Sequence, residues 1–286
     1  MLVCVGDLLE EVLVRLRDDP VRGGDRVVRA ARVRGGSASN VAALTAELGG
    51  RPRFVGQVGD DHVGHTLVED LRRRGVAVHA SFAGGTGVII TMVGRGGRSR
   101  LIDRGASRRL SIIEPECLDE ASQLYIAGSA FTEDPFASAI DQLLGEAADA
   151  SVPVTIGGPS VTDLESLGAD GFLALCAAVE PVHVVLDRAE HSALGLSPRE
   201  GIVGAATTVV TNGRRPTLVI DRDGARAVEV TPVDDLLDRT GVGDGFLAGF
   251  LRSRASGADP VAATHAGHRC AAMVLRHLGP TTGSDT

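Results

Sequence analysis

Asp238 to Leu251 reads DRTGVGDGFLAGFL, placing a carboxylate, Asp244, in a glycine-rich turn just where an apolar run begins. Gly241 and Gly243 let the main chain approach a ligand closely, and Phe246, Leu247, Phe250 and Leu251 then mark one helical face. The first N–H groups of a helix lack internal partners, and its dipole favours negative charge there, so the turn can form an anion hole. Asp244 is either a plain helix-start acid or a base held beside a phosphate. A dinucleotide fingerprint fits poorly: an aspartate inside the turn would repel a pyrophosphate, and no βαβ unit follows.

A second stretch, GGSASNVAALTAELGGRPRFVGQVGDDHVG, begins at Gly35. Gly35-Gly36 precedes a helix that carries Asn40 in its first turn and repeats Val41, Leu44, Thr45 and Leu48 at helical spacing. Taken singly, these loops have ordinary turn chemistry.

The elements that must position these residues alternate. Val3–Val5, Phe54-Val55, Leu124–Ile126, Val152–Ile156 and Val182–Leu186 read as short strands. Helical patterns cover Thr66–Arg74, Ile140–Ala148, Gly171–Val179, Gly245–Ser256 and Pro260–His277, while Thr208–Thr211 and Thr217–Ile220 read as a strand pair. Such alternation predicts an α/β fold, a mainly parallel sheet covered by helices on both faces. Two β-rich patches, about 12–34 and 86–103, do not fit the alternation and read as a small projecting sheet. The first holds Val12-Leu13-Val14 and Val27-Val28 around the turn-rich DDPVRGGD; the second holds GVIITMV, a GRGG turn and SRLID.

Composition narrows the function. The 286 residues suit one large domain, with 43% apolar and 23% charged residues. A net charge of −8 with no basic block beyond Arg72-Arg73-Arg74, read as a solvated helix face, disfavours nucleic acid. All 29 basic residues are arginine, which excludes a Walker lysine, a Schiff base and a lysine base. The four cysteines are widely spaced among apolar residues and read as buried thiols. The N-terminal stretch has acids at Asp7, Glu10 and Glu11 and no basic n-region, and no apolar run approaches membrane length, so a cytoplasmic protein away from membranes is expected. His265 and His268, spaced i, i+3, could face one ion, but no third ligand suggests itself. His62 and His65 read as solvated loop residues, and the tail PTTGSDT as frayed.

Together the two glycine-rich stretches resemble the ribokinase (PfkB) family of sugar and nucleoside kinases, over Gly6 to Gly279. The family pattern places GG-x-x-x-N before G-x-V-G-x-D-x-x-G and ends with D-T-x-G-A-G-D. The resemblance implies a three-layer α/β/α ribokinase-like fold over 1–286 with the two β patches as a lid. It implies Asp244 as the catalytic base and the Gly241-Val242-Gly243-Asp244 backbone as the anion hole for the transferred γ-phosphoryl group. Gly35, Gly36, Asn40 and Glu11 fall on the acceptor site, and Arg98, with Ser99, on the lid. Asp187 and Glu190 match the pair that organises Mg2+ and its waters near the phosphates of ATP. Thr211, Gly213 and His268 fall on the nucleotide side, and Asp238 and Thr240 near a monovalent-cation site, which would hold K+.

Several positions depart from the pattern. Glu11 stands where an aspartate is usual, Arg239 where a small residue is, Val242 for alanine and Asp187 for asparagine. Gly157 sits where many members have aspartate and Pro216 where glycine is common. The resemblance implies a small-molecule acceptor and a homodimer formed through exposed lid edges. Sugar and nucleoside acceptors are both open, and Phe82 alone, at the lid margin, offers an aromatic ring for a base. A non-catalytic ligand-binding relative is the third reading, weakened by the intact Gly241–Asp244 turn.

Overall fold

Alternate residues of the first strand, β1 (Leu2–Val5), face opposite ways: Val3 and Val5 enter one apolar cluster, Leu2 and Cys4 another. A strand buried on both faces needs cover on both, which is why the sequence alternates strands with helices. The structure is a computed structural model that describes residues 1–16, 23–25, 27–95 and 97–283.

After β1 come β2 (Leu9–Arg15), β3 (Arg29–Gly35), α1 (Ser37–Glu47), β4 (Pro52–Val58), α2 (His62–Arg73) and β5 (Ala77–Phe82). Next are β6 (Thr86–Gly94), β7 (Gly97–Gly105), β8 (Gln123–Ile126), α3 (Phe136–Asp149), β9 (Val154–Gly157), α4 (Val161–Leu167) and α5 (Ala169–Val179). The chain continues with β10 (His183–Asp187), α6 (Arg188–Ala193), β11 (Thr207–Asn212), β12 (Arg215–Asp221), β13 (Gly224–Val228), α7 (Val242–Ala255) and α8 (Pro260–Val274).

Nine strands form one sheet in the order β13-β12-β11-β10-β9-β8-β1-β4-β5, parallel from β5 to β11 and antiparallel only at β11-β12-β13. Ile140 and Leu143 of α3 with Phe172 and Cys176 of α5 close one face. Val41 of α1, Leu67 and Leu71 of α2, and Phe246 and Phe250 of α7 close the other. The fold is thus the expected three-layer α/β arrangement. A second sheet, ordered β3-β2-β6-β7, is built from the two β-rich patches. All four cysteines are buried thiols, and among the described residues no helix is long and apolar enough to cross a membrane.

Several local expectations are corrected. Val27-Val28 lies outside β3, which starts at Arg29, and Val27 is fully exposed. His62 and His65 are helical, because Asp61 caps α2 by accepting from the Gly64 N–H at 2.8 Å; His65 stacks on Phe82 at 4.4 Å. Phe82 itself ends β5 in the large sheet, not the small one. Arg74 is not solvated: it is half-buried and ion-paired to Glu47 at 2.7 Å and Asp70 at 3.0 Å. The tail is anchored as far as Thr282, whose N–H donates to buried Glu47 at 2.7 Å, while Pro280 O accepts from Arg34 at 3.0 Å. Residues 284–286, most of the turn over 18–25 and Gly96 of the GRGG turn lie outside the described residues.

Candidate active site

Helix α7 begins at Val242, so Val242, Gly243 and Asp244 are its first three residues and Gly241 is the N-cap. Gly241 takes φ +76°, and a Cβ there would sit 2.4 Å from the Pro280 Cβ, so only glycine fits. Gly36 is equally constrained: φ is +98°, and a Cβ would meet the Asp7 carbonyl oxygen at 2.1 Å. These two turns bring the first turns of α7 and α1 together.

The Asp244 residue is half-buried, and each of its carboxylate oxygens accepts a hydrogen bond. Its Oδ1 accepts from Ser37 Oγ at 2.7 Å and its Oδ2 from Asn40 Nδ2 at 2.9 Å. Burial raises its pKa, opposed by those two hydrogen bonds and by the charges of Arg100 and Arg34. Ser37 has donated its proton, so the 2.9 Å contact with Tyr125 is a donation by the phenol, which burial keeps protonated. Asn40 is fixed in turn, because its Oδ1 accepts from Arg34 Nε at 3.1 Å, which settles which end of the amide faces Asp244. Arg34 also donates to Asp70 at 3.0 Å and to Pro280 O.

Asp244 looks into a cleft of about 290 Å3 at the carboxyl ends of the parallel strands, with the small sheet as one wall. Glu11, Asn40, Arg98, Glu190 and the Gly241–Asp244 turn all line it. Glu11, from β2, is buried; its Oε1 accepts from Thr91 Oγ1 at 2.6 Å, and burial raises its pKa. Gly35 stands behind Glu11, since a Cβ there would lie 3.1 Å from the Glu11 Cβ. Asp7 also lines the cleft, bonded to Ser129 at 3.1 Å and ion-paired to Arg104, which reaches Asp163 at 2.7 Å.

The remaining candidates lie farther out. Asp187 caps α6, its Oδ1 accepting from the Glu190 N–H at 2.8 Å while Glu190 Oε2 accepts from the Asp187 N–H at 2.8 Å. Asp187 is exposed and outside the cleft wall; Glu190 is in it, and burial with the Asp187 charge pushes its carboxyl up to about 8. Thr211 is the penultimate residue of β11, Gly213 follows the strand at φ +61°, and His268 on α8 bonds Thr217 Oγ1 at 2.9 Å; none of the three is in the cleft wall. Asp238 accepts from Arg239 N at 2.8 Å and Thr240 Oγ1 at 3.2 Å on one oxygen, and from Gly279 N at 2.9 Å on the other.

Sequence reasoning missed Ser37, Tyr125, Asp7 and Arg104. The Ser37 signal was available as the first residue after Gly36, where a helix begins; Tyr125 and Asp7 are joined to the site only by tertiary packing.

Among the described residues no group of three His, Cys, Asp or Glu could hold a metal. Glu190 instead offers the cleft a single half-buried carboxylate, which fits Mg2+ bound chiefly by phosphates and waters.

This architecture is ribokinase-like. The chain belongs to the pfkB family of carbohydrate kinases, whose model matches residues 1–286. It is 26% identical over 286 residues to the adenosine kinase of Saccharomyces cerevisiae, covering 88% of this chain and 81% of the relative. It is 24% identical over 293 residues to the ribokinase of Bacillus subtilis, covering 99% and 96%. A solved structure from E. coli, described as a ribokinase II in complex with ATP and Mg2+, superposes with a TM-score of 0.83 at 18% identity over 99% of this chain and 95% of that one.

Proposed function

We propose that this chain transfers the γ-phosphoryl group of ATP to a hydroxyl of a sugar or sugar-like small molecule. The observation that carries this reading is the position of Asp244: a partnered carboxylate in the first turn of α7, facing a cleft that also holds Glu11 and Glu190. Phosphoryl transfer asks for positioning and charge stabilisation more than covalent work. The α7 amides receive the anionic phosphoryl oxygens, and Arg239, from the preceding loop in the cleft wall, adds a cation. Asp244 accepts the proton of the attacking hydroxyl; its raised pKa matches it to that task while Ser37 and Asn40 hold it ionised and aimed.

Glu11 orders acceptor hydroxyls with Asn40, Gly35 and Gly36. Glu190 would hold Mg2+ through water, with Asp187 fixing the helix turn beneath it. Mg2+, when bound with ATP, would neutralise phosphate charge. Thr211, Gly213 and His268 border the groove for the nucleotide. The small sheet acts as a lid that keeps water from the phosphoryl group. Its outer strand β7 is exposed along most of its length, including Leu101 and Ile102, and pairing with a second copy makes a homodimer; light scattering at micromolar concentration tests this. The cytoplasm, as the site of ATP, is its place of work.

A nucleoside acceptor is the second reading, motivated by the likeness to an adenosine kinase. Among the described residues the aromatic side chain in the cleft wall is Tyr125, buried and tied to Ser37, which leaves no ring of that wall free to stack on a base and favours the sugar. An ADP-release screen over neutral sugars, sugar phosphates, aldonates and nucleosides, with and without potassium, tests both. Release with a sugar-like acceptor is expected; nucleosides alone would support the second reading, and no release with any acceptor would overturn both in favour of a non-catalytic relative.

A further inference from the structure

Strand β7 presents Arg98, Arg100, Ile102 and Arg104 to the cleft, alternate residues on one face of one strand. The three arginines differ in how their charge is met. Arg104 is neutralised by Asp7 and Asp163. Arg98 lies 3.9 Å from Glu11, near enough for attraction but beyond a hydrogen bond. Arg100 has neither a hydrogen bond nor an ion pair among the described residues. Its register fixes where it stands: Arg100 pairs with Thr91 on β6, and Thr91 is the residue whose hydroxyl holds Glu11. Arg100 therefore rises beside the acceptor carboxylate, and its charge reaches both Glu11 and Asp244.

Glu11 and Asp244 meet that charge without a direct contact, and a neutral sugar adds no anion to pair with the guanidinium. From this placement we infer that Arg100, with Arg98 beside it, binds an anionic substituent on the acceptor, so that the substrate class is a polyhydroxy compound bearing a carboxylate or a phosphate. The donor phosphates have their own receptors at the α7 amides and Arg239, which leaves the β7 pair for the acceptor. Guanidinium groups match both anions with paired N–H donors. The inference rests on the kinase reading, since it assigns the acceptor of that same site.

The test compares ribose with ribonate and ribose 5-phosphate, in wild type and in Arg100→Gln, an exposed strand position that should fold. ADP release and calorimetric binding are read separately. One or both anionic acceptors should exceed ribose in kcat/KM, and Arg100→Gln should lower the favoured one by about 10- to 100-fold more than it lowers ribose, the worth of one charge-assisted contact; the ribose loss accounts for the Arg100 charge on Asp244. The preferred anion identifies carboxylate or phosphate as the natural group. Ribose turned over as well as either anion, with Arg100→Gln indifferent, overturns the inference and leaves the kinase reading standing. A rise in KM for ATP with every acceptor also overturns it, by assigning Arg100 to the donor. Binding of an anion that Arg100→Gln abolishes, without ADP release from any acceptor, sustains the anion site and sinks the kinase reading; no binding and no release sinks both.

Discussion

The α7 end of the cleft and the β7 wall opposite it carry charge in contrasting ways. At the α7 end both carboxylate oxygens of Asp244 have a partner fixed by a further partner: Ser37 by Tyr125, Asn40 by Arg34, and Arg34 by Asp70 and the Pro280 carbonyl. On the β7 wall Arg98 and Arg100 stand on an exposed strand, where Arg98 makes one loose ion pair, to Glu11 at 3.9 Å. A set geometry suits a step in which reacting atoms must be held within fractions of an ångström. Unsatisfied cations suit recognition, because they gain partners only when a complementary ligand enters. On the proposed reading the contrast separates phosphoryl transfer at one end from acceptor choice at the other.

The sharpest way to break this contrast is to disturb the α7 turn. Gly241→Val forces a β-branched residue to φ +76° against Pro280. A shift of about 1 Å in the following carboxylate should cost at least about 100-fold in kcat. It should also lower Tm in a melting scan; unchanged kcat would mean that the turn does not position the reaction.

A smaller effect is expected from Asn40→Ala. It removes a hydrogen bond that favours the charged form of Asp244, so the carboxyl pKa rises further and less base is present at a given pH. The loss in kcat should be about 10- to 100-fold near neutrality and should shrink as pH rises, because deprotonation recovers. A pH-independent loss would reduce Asn40 to an acceptor contact. Smallest is Arg34→Met. Its charge and its grip on Asn40 both favour ionised Asp244, so the acid limb should move upward, by less than in Asn40→Ala. Calorimetry should also record a lower Tm, since the Arg34–Asp70 pair and the hold on Pro280 are lost.

The α7 end was the more legible of the two in the sequence, for a physical reason. Glycine-rich turns before apolar helical repeats are local signals, so Gly241–Asp244 and Gly36–Asn40 stood out without any tertiary information. The large sheet was legible because strands buried on both faces are continuous apolar runs. Strands β5 and β13 were missed: AVHASF and GARAV mix small, polar and charged residues along half-exposed edges. Helices α4 and α6 were missed because they are short and held by capping boxes, Ser160 with Asp163 and Asp187 with Glu190, rather than by an apolar stripe. The His62 and Arg74 misreadings share a cause, since a helix cap and a buried ion pair depend on neighbours the sequence does not show. The β7 arginines did carry a signal in their period of two, visible once the segment is known to be a strand.

The most direct test of the central claim, that Asp244 is the base, is the pH dependence of single-turnover phosphoryl transfer in wild type and Asp244→Asn, with ATP affinity measured alongside. Wild type should gain rate with pH along one limb whose pKa lies above the usual carboxylate range, because burial raises Asp244. Asp244→Asn should bind ATP nearly as well, lose about 100- to 10,000-fold in rate and lack that limb. An Asp244→Asn enzyme that keeps both the rate and the limb would contradict the account.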